Sequence, residues 1–208
     1  MSSPVLLAEL LSARLCHDLG GPIAGLAGAV ELAAADGAGL SEIAAASTEL
    51  GLRLRLLRAA FGTGGIGLDL PRLTELAQAV PGADRVRLDL DLLPRGTSFA
   101  PPLGRVLLNL LLLAPEALPR GGALSLSRVD EAAVLARLSG PRAAWPNGFA
   151  TYLGDLAAAR AALVPPRFRL GPWMALLAAQ LGVRLSLLVP AGRARGPAPL
   201  LLRAEAGG

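Results

Sequence analysis

Ala13-Arg14-Leu15-Cys16-His17-Asp18-Leu19-Gly20-Gly21-Pro22-Ile23 holds the chain's single histidine, followed at once by an acid and five residues later by a proline. Apolar residues continue around it at helical spacing, with Leu11, Leu15, Leu19, Leu26 and Val30 on roughly one side. That spacing predicts a helix over 4–35. Ser2 and Ser3 precede Pro4, a capping position followed by a proline in the first turn. Around His17 at helical spacing lie Ala13, Gly20, Gly21, Ala24 and Gly28, a strip of short side chains. Glycine inside a helix costs about 1 kcal/mol relative to alanine, so three on one strip point to a surface that another molecule approaches closely. Pro22 removes one backbone hydrogen bond and predicts a bend one turn beyond the histidine.

Asp36-Gly37-Ala38-Gly39 breaks this helix, and Ser41 is placed to cap the next, with Glu42 favourable in its first turn. In the second helix Ile43, Ser47, Leu50, Leu54, Leu57 and Phe61 recur at alternating steps of four and three. This is a coiled-coil-like stripe, with Glu49, Arg53, Arg55 and Arg58 mostly off it. Two such helices joined by a short loop form an antiparallel hairpin, which cannot enclose both apolar faces by itself. Pairing of two hairpins into a four-helix bundle resolves that, so a homodimer is expected. Phe61-Gly62-Thr63-Gly64-Gly65-Ile66-Gly67 reads as a linker, because a phosphate-cradling loop needs a following Lys and Ser or Thr at a helix start. The expected division is a hairpin over 1–65 and a second domain over 66–208.

Beyond the linker the pattern is mixed. Residues 71–80 read as a helix, and Val86-Arg87-Leu88-Asp89-Leu90-Asp91-Leu92 alternates strictly, as a half-buried strand does. Residues 101–113 read as a long buried helix. After the Pro119–Gly122 turn, 123–129 and 133–139 read as a hairpin of strands. Residues 147–163 and 171–181 are helical by composition, and 183–189 and 199–203 read as the last two strands, joined by a turn over 191–197. The expected fold class is α+β, with one layer of helices over a mixed or antiparallel sheet.

Composition removes several function classes. The chain is 53% hydrophobic, mostly Leu and Ala, but its densest apolar stretch, 106–118, is broken by Asn109, Pro115 and Glu116 and is too short to span a bilayer. Glu9 and Arg14 interrupt any signal-type apolar run, so a cytoplasmic location and no membrane association are expected. All 20 basic residues are arginines and the net charge is +4. They are scattered, and aromatics make up only 3% of residues, so no basic, stacking surface for nucleic acid is expected. One cysteine allows no internal disulfide, and one histidine beside it makes no zinc constellation.

A histidine that accepts phosphate needs an exposed imidazole with one nitrogen free to attack phosphorus. A neighbouring carboxylate helps by orienting the ring or taking its other proton. Asp18 is the candidate carboxylate. Arg14, and Arg53 or Arg58 if the second helix brings them alongside, are candidates to meet an acidic pocket on a partner, the plainer alternative being surface salt bridges. An isolated His-Asp pair would more commonly be a surface or capping feature. Pro22 stands where the phosphoacceptor helix of histidine kinases, which this stretch resembles, has its proline. With the helical hairpin and the α/β domain after it, this resemblance favours the phosphoacceptor reading.

The stretch from Ala13 to Ile23 resembles the dimerisation helix of histidine kinases. Its Arg14-Leu15-Cys16-His17-Asp18-Leu19 form is similar to the ChpT-type histidine phosphotransferases of alphaproteobacteria, over essentially the whole chain. The resemblance implies a dimeric hairpin followed by a degenerate α/β sandwich like the histidine-kinase ATPase (Bergerat) fold. It implies a protein that takes phosphate from the receiver domain of a hybrid histidine kinase and passes it to response regulators such as CtrA and CpdR. Carried over by position, His17 is the phosphoacceptor and Asp18 its acidic neighbour; the strip of short side chains adds Gly21 and Ala24, and its charge adds Arg14, as residues expected to face the partner. Kinases that also act as phosphatases often carry Thr or Asn four residues after the histidine, where this chain has Gly21, which argues against hydrolytic activity.

The same resemblance exposes losses. Arg105–Ala114 is similar to the kinase helix with two asparagines four residues apart, but only Asn109 is present. Leu113 stands where the second would help hold Mg²⁺, and leucine offers a hard cation no oxygen. Leu138-Ser139-Gly140-Pro141-Arg142 keeps only the central glycine of the adenine-reading Asp-x-Gly-x-Gly element. Phe168–Ala175 has no glycine repeat to bring amides to phosphates. Loss of ATP binding is therefore expected, with no cofactor held by this chain and Mg²⁺ supplied by the partner receiver; Asn109 is expected to be a leftover polar residue, capping or at the surface. The leading expectation is a phosphorelay protein using His17. The alternative is a non-catalytic protein that binds a receiver or kinase without phosphotransfer.

Overall fold

The computed structural model describes residues 4–36, 39–62, 67–164, 168–189 and 196–205. The caps at Ser2 and Ser3, most of the 61–67 linker with the 65/66 boundary, and most of the 191–197 turn lie outside these residues. Among those described, the chain opens with two long helices, α1 (Pro4–Asp36) and α2 (Leu40–Phe61). A mixed unit follows: β1 (Leu68–Asp69), α3 (Leu70–Ala77), β2 (Val86–Leu92), β3 (Ser98–Phe99), α4 (Pro101–Ala117), β4 (Gly122–Asp130) and β5 (Ala133–Ser139). It closes with α5 (Phe149–Gly154), α6 (Leu156–Ala162), α7 (Leu170–Gln180), β6 (Val183–Leu187) and β7 (Leu200–Ala204). The protein is α+β, and no described helix is long and apolar enough to cross a membrane.

The main sheet runs β2-β4-β5-β7-β6. β2 and β4 are parallel, with Val86 opposite Gly122, and the other pairs are antiparallel. The parallel pair needs a long crossover, which α4 supplies. Gly122 and Gly140 flank the end of the β4–β5 ladder at φ of 149° and 156°. A Cβ on Gly122 would lie 2.2 Å from the Ser139 carbonyl oxygen, and one on Gly140 would lie 2.5 Å from that of Gly121. Backbone packing therefore accounts for the one glycine that the Leu138–Arg142 stretch retains.

α4 is apolar almost all round and is buried on every side from Val106 to Ala114. It packs on α2, α3 and α7 and also meets β6 and β7. Leu10 of α1 and Leu56 and Ala60 of α2 join its core. The base of the hairpin is thus built into the α/β unit. Beyond Asp18 in α1, and before Arg53 in α2, no described residue is buried. That distal part leaves Ile23, Val30, Leu32 and Leu40 52%, 48%, 62% and 79% exposed.

Three expectations need correction, and one pairing goes unpredicted. Ser41 does not cap α2. The helix starts two residues earlier, at Leu40 after Gly39 at φ 104°, and the Ser41 hydroxyl donates to Glu42 at 2.8 Å. The buried face of α2 is Arg53, Leu56, Leu57, Ala59 and Ala60, while Leu54 is 45% exposed. Packing against α4 as well as α1 rotates the burial in the last turns away from the predicted stripe. Residues 147–163 form two helices, because the Asp155 carboxylate caps the amides of Ala157 and Ala158 at 2.8 and 3.0 Å. The two-residue β1–β3 pairing, Leu68 opposite Phe99, has too little pattern to read from sequence.

Candidate histidine site

His17 lies on α1 with its side chain 86% exposed. Neighbouring residues on a helix point about 100° apart, so Asp18 turns inward, and its side chain is only 3% exposed. The two still meet: His17 Nδ1 lies 3.2 Å from Asp18 Oδ1. The other carboxylate oxygen accepts a bond from Arg14 Nε at 2.6 Å, one helical turn back. Arg14 also faces the α/β unit, where its Nη1 lies 3.9 Å from Glu116 Oε1 at the end of α4.

This geometry has a chemical consequence. A carboxylate clamped by a guanidinium accepts hydrogen bonds and donates none. The proton between Asp18 and the neutral imidazole therefore belongs on His17 Nδ1, which leaves the Nε2 lone pair facing outward. Pro22 has no N–H to give the Asp18 carbonyl, so the helix is loosened beside the site. α1 nevertheless runs unbroken through Pro22. Gly20, Gly21, Ala24 and Gly28 are exposed. A Cβ on any of the three glycines would meet nothing within 4 Å. The surface beyond the imidazole is open.

The other candidates fall elsewhere. Arg14, expected to meet a partner, has 19% of its side chain in solvent and is engaged inside the chain. Arg53 is buried, with its Nη2 3.8 Å from Glu49 and its Nε without a partner in the structure. Arg58 is exposed. Cys16 is exposed beside His17, and no group of three His, Cys, Asp or Glu among the described residues could hold a metal ion.

Asn109 is neither leftover nor at the surface: it is fully buried. Its amide nitrogen donates to the carbonyls of Ala60 and Arg105, each at 3.0 Å, and its oxygen accepts from Trp173 Nε1 at 3.0 Å. Arg105 adds bonds to the carbonyls of Ala60 and Phe61 at 3.2 and 3.1 Å. Together they satisfy carbonyls that the end of α2 leaves open. The capping part of the expectation holds, but the cap serves a different helix. Phe61, Phe168 and Trp173 close over this joint, with ring centroids 5.4 to 6.1 Å apart. Leu113 is fully buried in the core.

Sequence reasoning missed Glu116 and Trp173, since nothing near them in the chain signals their partners. Glu116 has its carboxyl pushed up, chiefly by burial; Arg14 pulls it back and Asp18 adds to the rise. A groove of about 610 Å³ between α1, α6 and α7, lined by Leu7, Trp173 and Leu177 among others, does not include His17.

A family model described as histidine phosphotransferase C-terminal domain matches residues 71–193. The solved structure of a bacterial phosphotransferase is similar over 99% of this chain and 98% of its own, with a TM-score of 0.65 and 22% identity, a likeness of fold. No curated protein sequence matches.

Proposed function

The chain belongs to the histidine phosphotransferase family, whose model spans more than half of it, and from that premise we propose that His17 relays a phosphoryl group between receiver domains. One observation carries the reading: the exposed imidazole has Nδ1 held by a buried, arginine-clamped carboxylate, so Nε2 points outward as a nucleophile. The Nε2 lone pair attacks the phosphorus of a receiver's aspartyl phosphate. The N–P bond forms as the P–O bond to the aspartate breaks, and the aspartate leaves as a carboxylate. No proton has to leave Nε2. The positive charge gained by the ring, still protonated on Nδ1, lies against Asp18. The reverse sequence loads the next receiver, so this chain supplies a positioned nucleophile and a surface for docking.

In this reading Gly21 and Ala24 let the receiver approach, and Mg²⁺ belongs to the receiver's own acidic pocket. The donor is the receiver domain of a hybrid histidine kinase and the acceptors are CtrA- or CpdR-like response regulators, which places the protein in the cytoplasm. Loss of ATP binding is supported by Asn109, both of whose amide hydrogens and whose oxygen are taken within the fold, and by the burial of Leu113. The α/β unit is then a degenerate Bergerat-like domain. The uncovered apolar side chains of the distal hairpin support a homodimer through a four-helix bundle.

Incubation with a phosphorylated receiver tests the proposal. The chain acquires label that is stable to alkali and lost in acid, and His17→Ala does not. Label on His17→Ala overturns the assignment. Receiver binding by His17→Gln, without labelling of the wild type, establishes the non-catalytic alternative.

A further inference from the structure

We propose that Arg14 is a positioning residue for His17, held in place by Glu116, so that the α/β unit helps set which imidazole nitrogen carries the proton. The inference rests on His17 as the phosphoacceptor and goes beyond it, to what keeps Nε2 free.

An exposed aspartate beside a histidine would make a weak, mobile pair. Asp18 is different because its side chain is 97% covered, and a buried carboxylate needs a partner. Arg14 is that partner, through a charge-assisted bond of 2.6 Å to Oδ2. This holds the carboxylate in the rotamer that turns Oδ1 to His17 Nδ1. Without it, the aspartate is free to turn out to water, and the ring can adopt the tautomer an isolated histidine side chain favours, with the proton on Nε2. That tautomer has its lone pair on Nδ1, on the side of Asp18, and none on Nε2 to attack phosphorus with.

Glu116 enters from the other domain. Arg14 meets Asp18 through Nε and Glu116 through Nη1, so the two carboxylates use different atoms of one rigid plane and do not compete. The hydrogen bond from Nε seats the guanidinium on Asp18, and the longer 3.9 Å ion pair to Glu116 biases the direction in which its far end faces. Glu116 also senses both Arg14 and Asp18 electrostatically, as members of one charge group do. Because α4 is locked into the core, its end is a rigid post for the hairpin.

The single histidine makes the test direct. Its two ring nitrogens give the only imidazole signals in a ¹⁵N spectrum of the full-length chain, and no phosphate donor is needed. At a pH where the ring is neutral, the wild type shows the proton on Nδ1. Arg14→Ala shifts the balance toward Nε2, and Glu116→Ala shifts it the same way by less. Arg14→Lys, which keeps charge but not the fork, falls between wild type and Arg14→Ala. A wild-type balance in a folded Arg14→Ala overturns the proposal. Should Arg14→Ala fail to fold, an unchanged balance in both Arg14→Lys and Glu116→Ala does so.

The kinetic counterpart is a fall in kcat for phosphotransfer of about tenfold in Arg14→Ala, with KM for the donor receiver little changed. A raised KM at unchanged kcat would make Arg14 a docking residue and overturn the positioning role. Absence of transfer in the wild type would instead remove the phosphoacceptor reading, whatever the spectrum shows.

Discussion

The side-chain oxygen of Asn109 accepts a hydrogen bond from the Trp173 indole at 3.0 Å, inside a joint where the same asparagine caps the end of α2. One buried amide therefore ties together α2, α4 and α7. Both of its side-chain amide hydrogens and its oxygen are bonded to protein. Asn109→Leu leaves the Trp173 indole N–H without its acceptor and the Ala60 carbonyl with only its bond from Arg105. The expected destabilisation is about 2–4 kcal/mol, read as a lower midpoint in urea at an unchanged denaturant slope.

Gly21 separates helix stability from docking. Its missing Cβ would meet nothing within 4 Å. Gly21→Ala should therefore stabilise the chain, by about 0.5–1 kcal/mol. Gly21→Leu should also fold, yet slow transfer from a phosphorylated receiver by roughly tenfold or more, since a misplacement of about 1 Å is costly for in-line attack. Equal transfer rates for the two variants would show that no partner passes over this strip.

Glu116 gives a pH-dependent test of stability. Its carboxyl is raised, with burial the largest cause and Arg14 opposing it. A carboxyl raised in the folded state contributes fully below the ordinary carboxylate range and loses that contribution as pH rises through the raised value. Glu116→Gln lacks this titration, so it should unfold at a higher temperature than wild type near about pH 8 and converge with it near about pH 3. The side chain is still 46% exposed, so the difference is modest. A lower Tm for the variant at the higher pH would mean the Arg14 pairing outweighs burial.

The distal hairpin tests assembly. Val30 is 48% exposed in the distal part of α1, and Leu54 is 45% exposed on α2 just past that part, beside buried Arg53. Val30→Glu combined with Leu54→Glu should shift sedimentation from dimer to monomer while leaving the α/β unit folded. A wild type that sediments as a monomer at high concentration would refute the four-helix bundle.

Periodicity made the larger elements legible before any coordinates. α1 follows its apolar spacing to within a residue, and β2 and β5 fall on their predicted spans. Hydrophobic alternation is a local property, and local rules suffice for it. They failed where a second surface intervened. Arg53 looked solvent-facing on a single helix, yet it is buried once α2 has packed. Asn109 looked like a remnant because its partners lie on other elements. Asp155 is a residue type that caps helices, but the alanine-rich run on both sides of it gives no sign of the break it makes.

By itself the sequence determined that His17 stands on a long helix, one residue before an acid and one turn before Gly21 and Pro22. Those placements follow from covalent order and helical pitch. Only the tertiary structure decided that Asp18 is buried while His17 is exposed, that Arg14 belongs to Asp18, and that Glu116 reaches Arg14 from α4. Burial and ion pairing are properties of two surfaces brought together, and no helix carries that information alone.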